Sequence, residues 1–221
     1  MKMNGFVTIA SADQGTPFAE AYGLLLASVL LGNNGKPPST VAVAAAQAGD
    51  GCSTTALNLA IMMAKTGRPT AIVDANMRDP ELHKAFGVPQ SPGLADVLTR
   101  KIDVKNAIVR TQIPQLSLLP AGKAEASAQA LLSQAILGDV FREMRALFEM
   151  IVVDTPPLRN YPDTLHLGKV VDGVLLVVST HGASRRDQQE MRRLLDRVEA
   201  RIFGTVLNRV RSNEMTGDRA R

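Results

Sequence analysis

The chain has 221 residues, of which 45% are hydrophobic and 21% charged, so it is long enough to bury the core of one globular domain. No apolar run reaches the about 20 residues that cross a bilayer, and a single cysteine excludes an internal disulfide framework. We therefore expect one cytoplasmic domain over 1–221, with an N-terminal helical arm at 1–39 and a short basic tail at 211–221.

The net charge of +4 is concentrated near the C-terminus. Residues 184–221 contain ten arginines and six acidic residues, whereas the rest of the chain has fifteen of each sign. This excess fits either a surface for an acidic partner or anionic lipid, or a solvated helix face. Nucleic acid is not expected as a partner, because the chain has no tryptophan and only 4% aromatic residues for base stacking.

Hydrophobic periodicity predicts helices and strands that alternate along most of the chain. Helices are predicted over 18–31, 56–64, 80–86, 92–98, 103–109, 127–148 and 184–200, and strands from 41 and over 70–74, 116–119, 150–154, 173–178 and 201–207. Apolar strands alternating with helices indicate a doubly wound α/β fold with a mainly parallel sheet between helical layers. Ligands of such sheets bind at the carboxyl ends of the strands.

A glycine-rich turn between the first apolar strand and its helix is typical of a phosphate-binding loop. Its backbone N–H groups and the helix N-terminus would surround a phosphate, and Ser53 would hold Mg²⁺. The candidate nucleotide-binding residues here are Gly49, Asp50, Gly51, Cys52, Ser53 and Thr54. Cys52 occupies the position at which such loops usually carry the lysine that contacts the outer phosphates. Taken alone, the turn is also compatible with a purely structural connection.

Two aspartates follow buried strands at the same predicted rim of the sheet. Asp74 ends the strand over 70–74, and Asp154 ends the strand over 150–154. Either aspartate alone could have a purely structural role, since an aspartate after a strand often caps the next helix. With the glycine loop they form a set suited to phosphate, Mg²⁺ and a positioned nucleophile.

These motifs together resemble the ATPase domain of bacterial tyrosine kinases and capsular exopolysaccharide synthesis proteins, P-loop relatives of MinD and ParA. The resemblance covers about residues 16–210. It rests on the segments 17–22 (PFAEAY), 49–54 (GDGCST), 73–80 (VDANMRDP), 119–122 (LPAG), 153–157 (VDTPP), 172–178 (DGVLLVV) and 207–210 (LNRV).

The resemblance implies roles for individual residues. Ser53 and Asp154 would be the metal residues, Asp154 through water, and Thr54 would contact the α-phosphate. Asp74 and Asp154 would be the catalytic carboxylates, with Asp74 orienting the attacking hydroxyl. Asn208 would bind the adenine edge, although on sequence alone it is equally explained as a turn residue. The implied cofactors are ATP or ADP and Mg²⁺.

Several departures from the family pattern point to weakened chemistry. A neutral thiol at Cys52 gives no positive charge, and Asn76 replaces a second acidic residue of the Asp74 motif, so we expect nucleotide binding to be weakened or lost. Glu20 of the family's self-association motif is present, but Gly23 and Leu26 replace its arginines, so the ring assembly of the family is not expected here, although another homo-oligomer stays open. The family's C-terminal tyrosine cluster is also missing from the sequence. A further idea is that Cys52, at a helix N-terminus, has a lowered pKa and senses oxidants.

The resulting hypothesis is a catalytically impaired, pseudokinase-like regulator of exopolysaccharide or capsule biosynthesis and export. It would act in the cytoplasm at the inner face of the cell membrane, through a copolymerase-type inner-membrane partner. The alternatives are an active ATP-dependent tyrosine kinase or ATPase, with a substitute cation such as Arg78, and more distantly a positioning ATPase similar to MinD or ParA.

Overall fold

The computed structural model describes residues 2–3, 5–10, 15–32, 36–123, 128–132, 135–161 and 163–210. Within these ranges the helices are α1 (Pro17–Leu31), α2 (Cys52–Lys65), α3 (Leu82–Phe86), α4 (Leu94–Leu98), α5 (Val104–Ala107), α6 (Ala128–Leu132), α7 (Ile136–Arg145), α8 (Asp163–Gly168) and α9 (Arg185–Arg197). The strands are β1 (Lys2–Met3), β2 (Phe6–Val7), β3 (Thr40–Ala45), β4 (Thr70–Asp74), β5 (Val109–Arg110), β6 (Leu116–Leu119), β7 (Met150–Asp154), β8 (Gly173–Ser179) and β9 (Ile202–Asn208).

A seven-stranded sheet organises the molecule, with strand order β5-β6-β4-β7-β3-β8-β9. Every neighbouring pair is parallel except β5 and β6 at one edge, which are antiparallel. The prediction of a mainly parallel, doubly wound α/β fold is therefore confirmed. The antiparallel edge strand β5 was not predicted, since its two residues are too few to carry a periodic pattern.

The central strands separate two layers of hydrophobic core. Side chains alternate across a strand, so Val41 and Val43 pack with Leu57 of α2 on one face, whereas Ala42 and Ala44 pack on the opposite face. All residues of β3, β4 and β7 are buried. Complete burial on both faces explains why these strands are continuous apolar runs.

The N-terminal segment contains a feature that the sequence did not reveal, a short hairpin of β1 and β2 attached to α2. The buried side chain of Asn58 accepts a hydrogen bond from the N–H of Ile9 (2.7 Å) and donates to the carbonyl of Val7 (2.9 Å). Lys65 donates to the carbonyl of Ile9 (2.8 Å). Polar residues inside the apolar pattern of α2 therefore fix the segment that precedes α1.

The predicted helix over 127–148 is two shorter helices, α6 and α7, so that prediction is wrong in its extent. Residue 127 and the junction residues 133–134 lie outside the described residues, as does the predicted basic tail at 211–221. The other predicted helices are present, although α3, α4 and α5 are only four or five residues long.

A polar network joins the amino ends of the strands, opposite the predicted site. Arg145, at the end of α7, donates to Ser39 Oγ (3.2 Å), Thr40 Oγ1 (3.0 Å) and the carbonyl of Val170 (2.7 Å). Asp172 accepts hydrogen bonds from the same Ser39 and Thr40. Burial favours the neutral carboxyl, but these hydrogen bonds outweigh it and lower the pKa of Asp172.

The arginine-rich helix α9 is an amphipathic surface helix. Its N-cap Ser184 accepts from the N–H of Asp187, and Met191 and Leu195 are buried. Arg193 lies 3.8 Å from Glu190 and Arg192 lies 4.0 Å from Asp196, all on the exposed side. These pairs favour the interpretation of α9 as a solvated face. Across the part of the chain that the structure describes, no helix is long and apolar enough to span a membrane.

Candidate functional site

The glycine-rich turn forms a loop at the carboxyl end of β3 with the backbone geometry of a phosphate-binding loop. Gly49 (φ 85°) and Gly51 (φ 97°) are in the left-handed region, which a residue with a Cβ rarely adopts. The first hydrogen bond of α2 runs from the N–H of Thr55 to the carbonyl of Gly51 (2.9 Å), and no side chain caps the helix. The N–H groups of Cys52, Ser53 and Thr54 therefore begin the helix at its positive end, as phosphate binding requires.

Contacts from two other strand ends hold this loop in shape. Asn208, the last residue of β9, donates through Nδ2 to the carbonyl of Asp50 (2.8 Å). A Cβ on Gly51 would collide with the same Asn208 Nδ2, and one on Gly182 would collide with Asp50 Oδ1. Glycine is therefore required at both positions by close approach. Asn208 supports the loop directly, so its predicted contact with adenine stays a prediction.

The thiol of Cys52 turns into the protein. Its Sγ donates to the carbonyl of Val43 (2.9 Å) and lies 3.7 Å from the carbonyl of Thr155. Burial and the nearby Asp154 raise the pKa of the Cys52 thiol well above its usual range. The thiol is therefore neutral and adds no positive charge to the loop. The idea of an oxidant-sensing thiolate with a lowered pKa is wrong, because burial outweighs the effect of the helix N-terminus.

The two predicted carboxylates lie side by side, as expected from the strand order. Asp74 and Asp154 are register partners on the adjacent strands β4 and β7. Burial raises the pKa of Asp154 to about 6, against the opposing hydrogen bonds from Ser53 and Cys52. Burial and the Asp154 charge raise the pKa of Asp74 well above its usual range. Two adjacent buried carboxylates thus hold protons more tightly than free ones do.

The surroundings of Ser53 and Asp154 fit a magnesium ion. The Ser53 hydroxyl lies close enough to the Asp154 carboxylate to oppose the rise of its pKa, and the Oδ1 atom of Asp154 is buried without a hydrogen-bond partner among the described residues. A buried oxygen of this kind is costly unless an ion, water or proton satisfies it. Hydroxyl and carboxylate oxygens are ligands that Mg²⁺ prefers. These two residues are therefore suited to hold the metal that a nucleotide would bring.

Asp74 is held by backbone hydrogen bonds from the loop that precedes α3. Its Oδ1 accepts the N–H of Asn76 (3.2 Å) and its Oδ2 accepts the N–H of Leu82 (3.2 Å), and the residue is fully buried. The carboxylate thus fixes the loop before α3, which is the structural explanation noted for an aspartate after a strand. The role of Asp74 in orienting a nucleophile stays a prediction.

A cavity of about 200 Å³ opens beside the loop. It is lined by Phe6, Gln47, Ala48, Gly49, Gly51, Cys52, Ser53, Thr54, Asn76, Asp79, Glu81, Thr155, Pro157 and Arg209. Arg78, the substitute cation that the sequence suggested, does not line it and instead stacks on the ring of Tyr161 at 4.2 Å. The cation that the structure places there is Arg209.

Sequence reasoning missed both Phe6 and Arg209 as lining residues. Phe6 belongs to the hairpin, which carries no motif. Arg209 directly follows Asn208, so its position at the end of a parallel strand was a usable signal.

Comparison with known proteins identifies the family of this chain. A family model described as an AAA domain, AAA_31, matches residues 38–204. The chain belongs to this family. Its curated relatives include the tyrosine-protein kinase YwqD of Bacillus subtilis, which is 28% identical over 90% of this chain and 84% of YwqD. A putative tyrosine-protein kinase, CapB of Staphylococcus aureus, is 23% identical over 87% of this chain and 84% of CapB.

Solved structures show the same fold as this AAA_31 member. The chimerical protein CapA2B2 superposes with a TM-score of 0.85 at 24% identity, over 91% of this chain and 89% of that chain. Cobyrinic acid a,c-diamide synthase from Mycobacterium smegmatis, solved with an ATP analogue and magnesium, has a TM-score of 0.65 at 22% identity, over 76% and 71%. The Pyrococcus furiosus cell division ATPase MinD has a TM-score of 0.66 at 24% identity, over 77% and 72%.

Proposed function

We propose that this protein is a nucleotide-binding regulator of exopolysaccharide or capsule biosynthesis and export, with little or no kinase activity of its own. It binds ATP or ADP with Mg²⁺ in the cavity beside the phosphate loop, more weakly than a loop with a lysine would. Its relatives YwqD and CapB are named as tyrosine-protein kinases, which supports the choice of this functional class.

The observation that carries the proposal is the uncharged, inward-turned side chain of Cys52 in a loop that otherwise keeps the features of a phosphate-binding loop. The glycines, the start of α2 and the Ser53–Asp154 pair are retained, whereas the Cys52 thiol points at the carbonyl of Val43. Removing a preorganised donor to transferring phosphate costs about 10²–10³ in rate. Binding depends on more groups, because backbone N–H groups and the metal contribute as well, so it is reduced less.

The proposed partner is a copolymerase-type inner-membrane protein, through which the chain would lie in the cytoplasm at the inner face of the membrane. This rests on the resemblance to capsule-synthesis kinases. The outer side of α1 supports a protein contact of some kind, because Leu24 and Leu31, seven residues apart, are 73% and 72% exposed. The alternative is that a second copy of this chain binds the outer side of α1 in a homo-oligomer.

The test is titration of the purified protein with ATP and ADP, with and without Mg²⁺, by calorimetry, together with transfer of labelled phosphate to protein tyrosine. We expect micromolar to millimolar binding that Mg²⁺ strengthens, and no phosphate transfer above an Asp154→Ala control. Ser53→Ala should reduce the dependence on Mg²⁺. A complete lack of nucleotide binding would contradict the proposal.

An active tyrosine kinase or ATPase is the second candidate. The observation in its favour is that Ser53 and Asp154, the proposed metal residues, lie close together and that a cation, Arg209, lines the same cavity as Ser53. Phosphate release or transfer that exceeds the Asp154→Ala control would establish this alternative in place of a regulator.

A further inference from the structure

Arg209 brings a positive charge to the cavity from a different strand. The residue follows β9 and lines the cavity together with Cys52, Ser53 and the glycines of the loop. In the part of the chain that the structure describes, the other charged residues of the lining are Asp79 and Glu81, both acidic. Without Arg209 a phosphate chain would therefore face two carboxylates and a neutral thiol.

The backbone of Arg209 is held in an unusual conformation that anchors it to the loop. Its φ of 59° lies in the left-handed region, which is uncommon for residues other than glycine. Its N–H donates to Asn208 Oδ1 (2.9 Å), and its carbonyl accepts from Thr180 Oγ1 (2.8 Å). The same Asn208 donates to the carbonyl of Asp50 (2.8 Å). One side chain thus links the phosphate loop to the residue that carries the charge.

The side chain of Arg209 is exposed and has no ion-pair or hydrogen-bond partner among the described residues. Arginine stays charged at any physiological pH, and its planar fork can donate two hydrogen bonds to a phosphate. Strained backbone conformations that surrounding contacts maintain are common at ligand-binding positions. The position, the charge and the fixed backbone of Arg209 therefore point to a phosphate group as its ligand.

We infer that Arg209 binds the phosphate chain of the nucleotide and thereby replaces part of the charge that Cys52 does not provide. This inference rests on the proposed nucleotide binding and assigns its missing cation. It differs from a lysine within the loop, because the charge comes from the end of β9 and depends on Asn208 and Thr180 for its placement.

The experiment compares Arg209→Ala with the unaltered protein by calorimetry, using Mg-ATP and, as a probe without base or sugar, tripolyphosphate. Loss of a charge-assisted contact should weaken the binding of both about tenfold to a hundredfold. The matched control is Arg192→Ala, which removes the same charge from the exposed side of α9 and should leave both affinities unchanged. The double variant Cys52→Lys with Arg209→Ala should regain much of the lost affinity, since one cation then substitutes for the other.

Equal affinities of Arg209→Ala and Arg192→Ala, in a protein that binds nucleotide, would overturn this inference and leave the proposed function in place. Weakened ATP binding with unchanged tripolyphosphate binding would also overturn it, because Arg209 would then contact base or sugar. If the unaltered protein binds ATP but not tripolyphosphate, the ATP affinities decide, and equal values for Arg209→Ala and Arg192→Ala overturn the inference. Lack of binding of either ligand by the unaltered protein would overturn both proposals.

Discussion

Restoring a lysine at position 52 should tighten nucleotide binding, and the structure gives the size of the effect. Cys52→Lys removes the hydrogen bond from the Cys52 thiol to the carbonyl of Val43. A thiol is a weak hydrogen-bond donor. That carbonyl keeps two other donors, the hydroxyl (2.9 Å) and the N–H (3.3 Å) of Thr155, so no buried acceptor is left unpaired. The change should therefore lower the free energy of unfolding by less than about 1 kcal/mol.

The gain comes from an ammonium that reaches the cavity which Cys52 already lines. A hydrogen bond between charged groups contributes about 1.5–3 kcal/mol. The lost thiol bond is absent from both the free and the bound variant, so it does not reduce the affinity, whereas fixing the lysine side chain on binding costs about 1 kcal/mol. The net gain of about 0.5–2 kcal/mol corresponds to Mg-ATP binding that is roughly twofold to thirtyfold tighter. Added salt should reduce the gain, because the new contact is between a cation and an anion.

Calorimetric titration with Mg-ATP and Mg-ADP measures the effect, and Cys52→Met is the matched control. Methionine also replaces the thiol by a long side chain but brings no charge. The lysine variant must therefore bind nucleotide more tightly than both the methionine variant and the unaltered protein. If the lysine and methionine variants bind equally, the introduced ammonium does not reach phosphate, and the explanation by a single lost cation is refuted.

Three further predictions concern stability and reactivity. The pKa of Asp154 is raised to about 6 in the folded protein from about 3.8 unfolded, so its contribution to stability is complete below about pH 4 and is lost as the pH rises through 6. In nucleotide-free buffer with EDTA, the free energy of unfolding of Asp154→Asn relative to the unaltered protein should therefore rise by about 1–2 kcal/mol between pH 5 and pH 8; a constant difference in urea titrations would contradict this. Arg145→Ala should lower the free energy of unfolding by about 2–3 kcal/mol, because the oxygens at the amino ends of the strands lose their shared donor. Arg142→Ala, which removes only an exposed pair with Asp139, should cost less than about 1 kcal/mol, and equal effects would show that the network does not stabilise the fold. The Cys52 thiol should react with iodoacetamide at pH 8 far more slowly in the folded protein than in urea, and comparable rates would disprove its raised pKa.

The sequence was informative where one physical signal decided the outcome. The strands over 70–74 and 150–154 are continuous apolar runs because both of their faces are buried, and that made their position and parallel pairing predictable. The prediction that Asp74 and Asp154 lie at one edge of the sheet followed from the same pattern, whereas the sequence did not show that their two strands are neighbours. The position of the phosphate loop followed from its glycines.

The parts that could not be predicted depend on contacts between distant segments. The hairpin of β1 and β2 is held by Asn58, whose amide looks in sequence like an ordinary polar residue of a helix. The inward turn of the Cys52 thiol depends on the carbonyl of Val43, and the role of Arg209 in the cavity depends on Thr180. No local pattern encodes these contacts, because their partners come together only when the sheet is complete.

The contacts around Asp50 separate the shape of the phosphate loop from its charge. Asn208 and Gly182 meet the loop from the ends of β9 and β8, and neither contact involves the side chain of residue 52. A change from lysine to cysteine at position 52 therefore alters the electrostatic potential of the cavity, while the backbone of the phosphate loop stays in place. Under the proposed function, a chain built in this way loses a reaction in a single substitution and still binds its ligand, so signalling by occupancy outlasts catalysis.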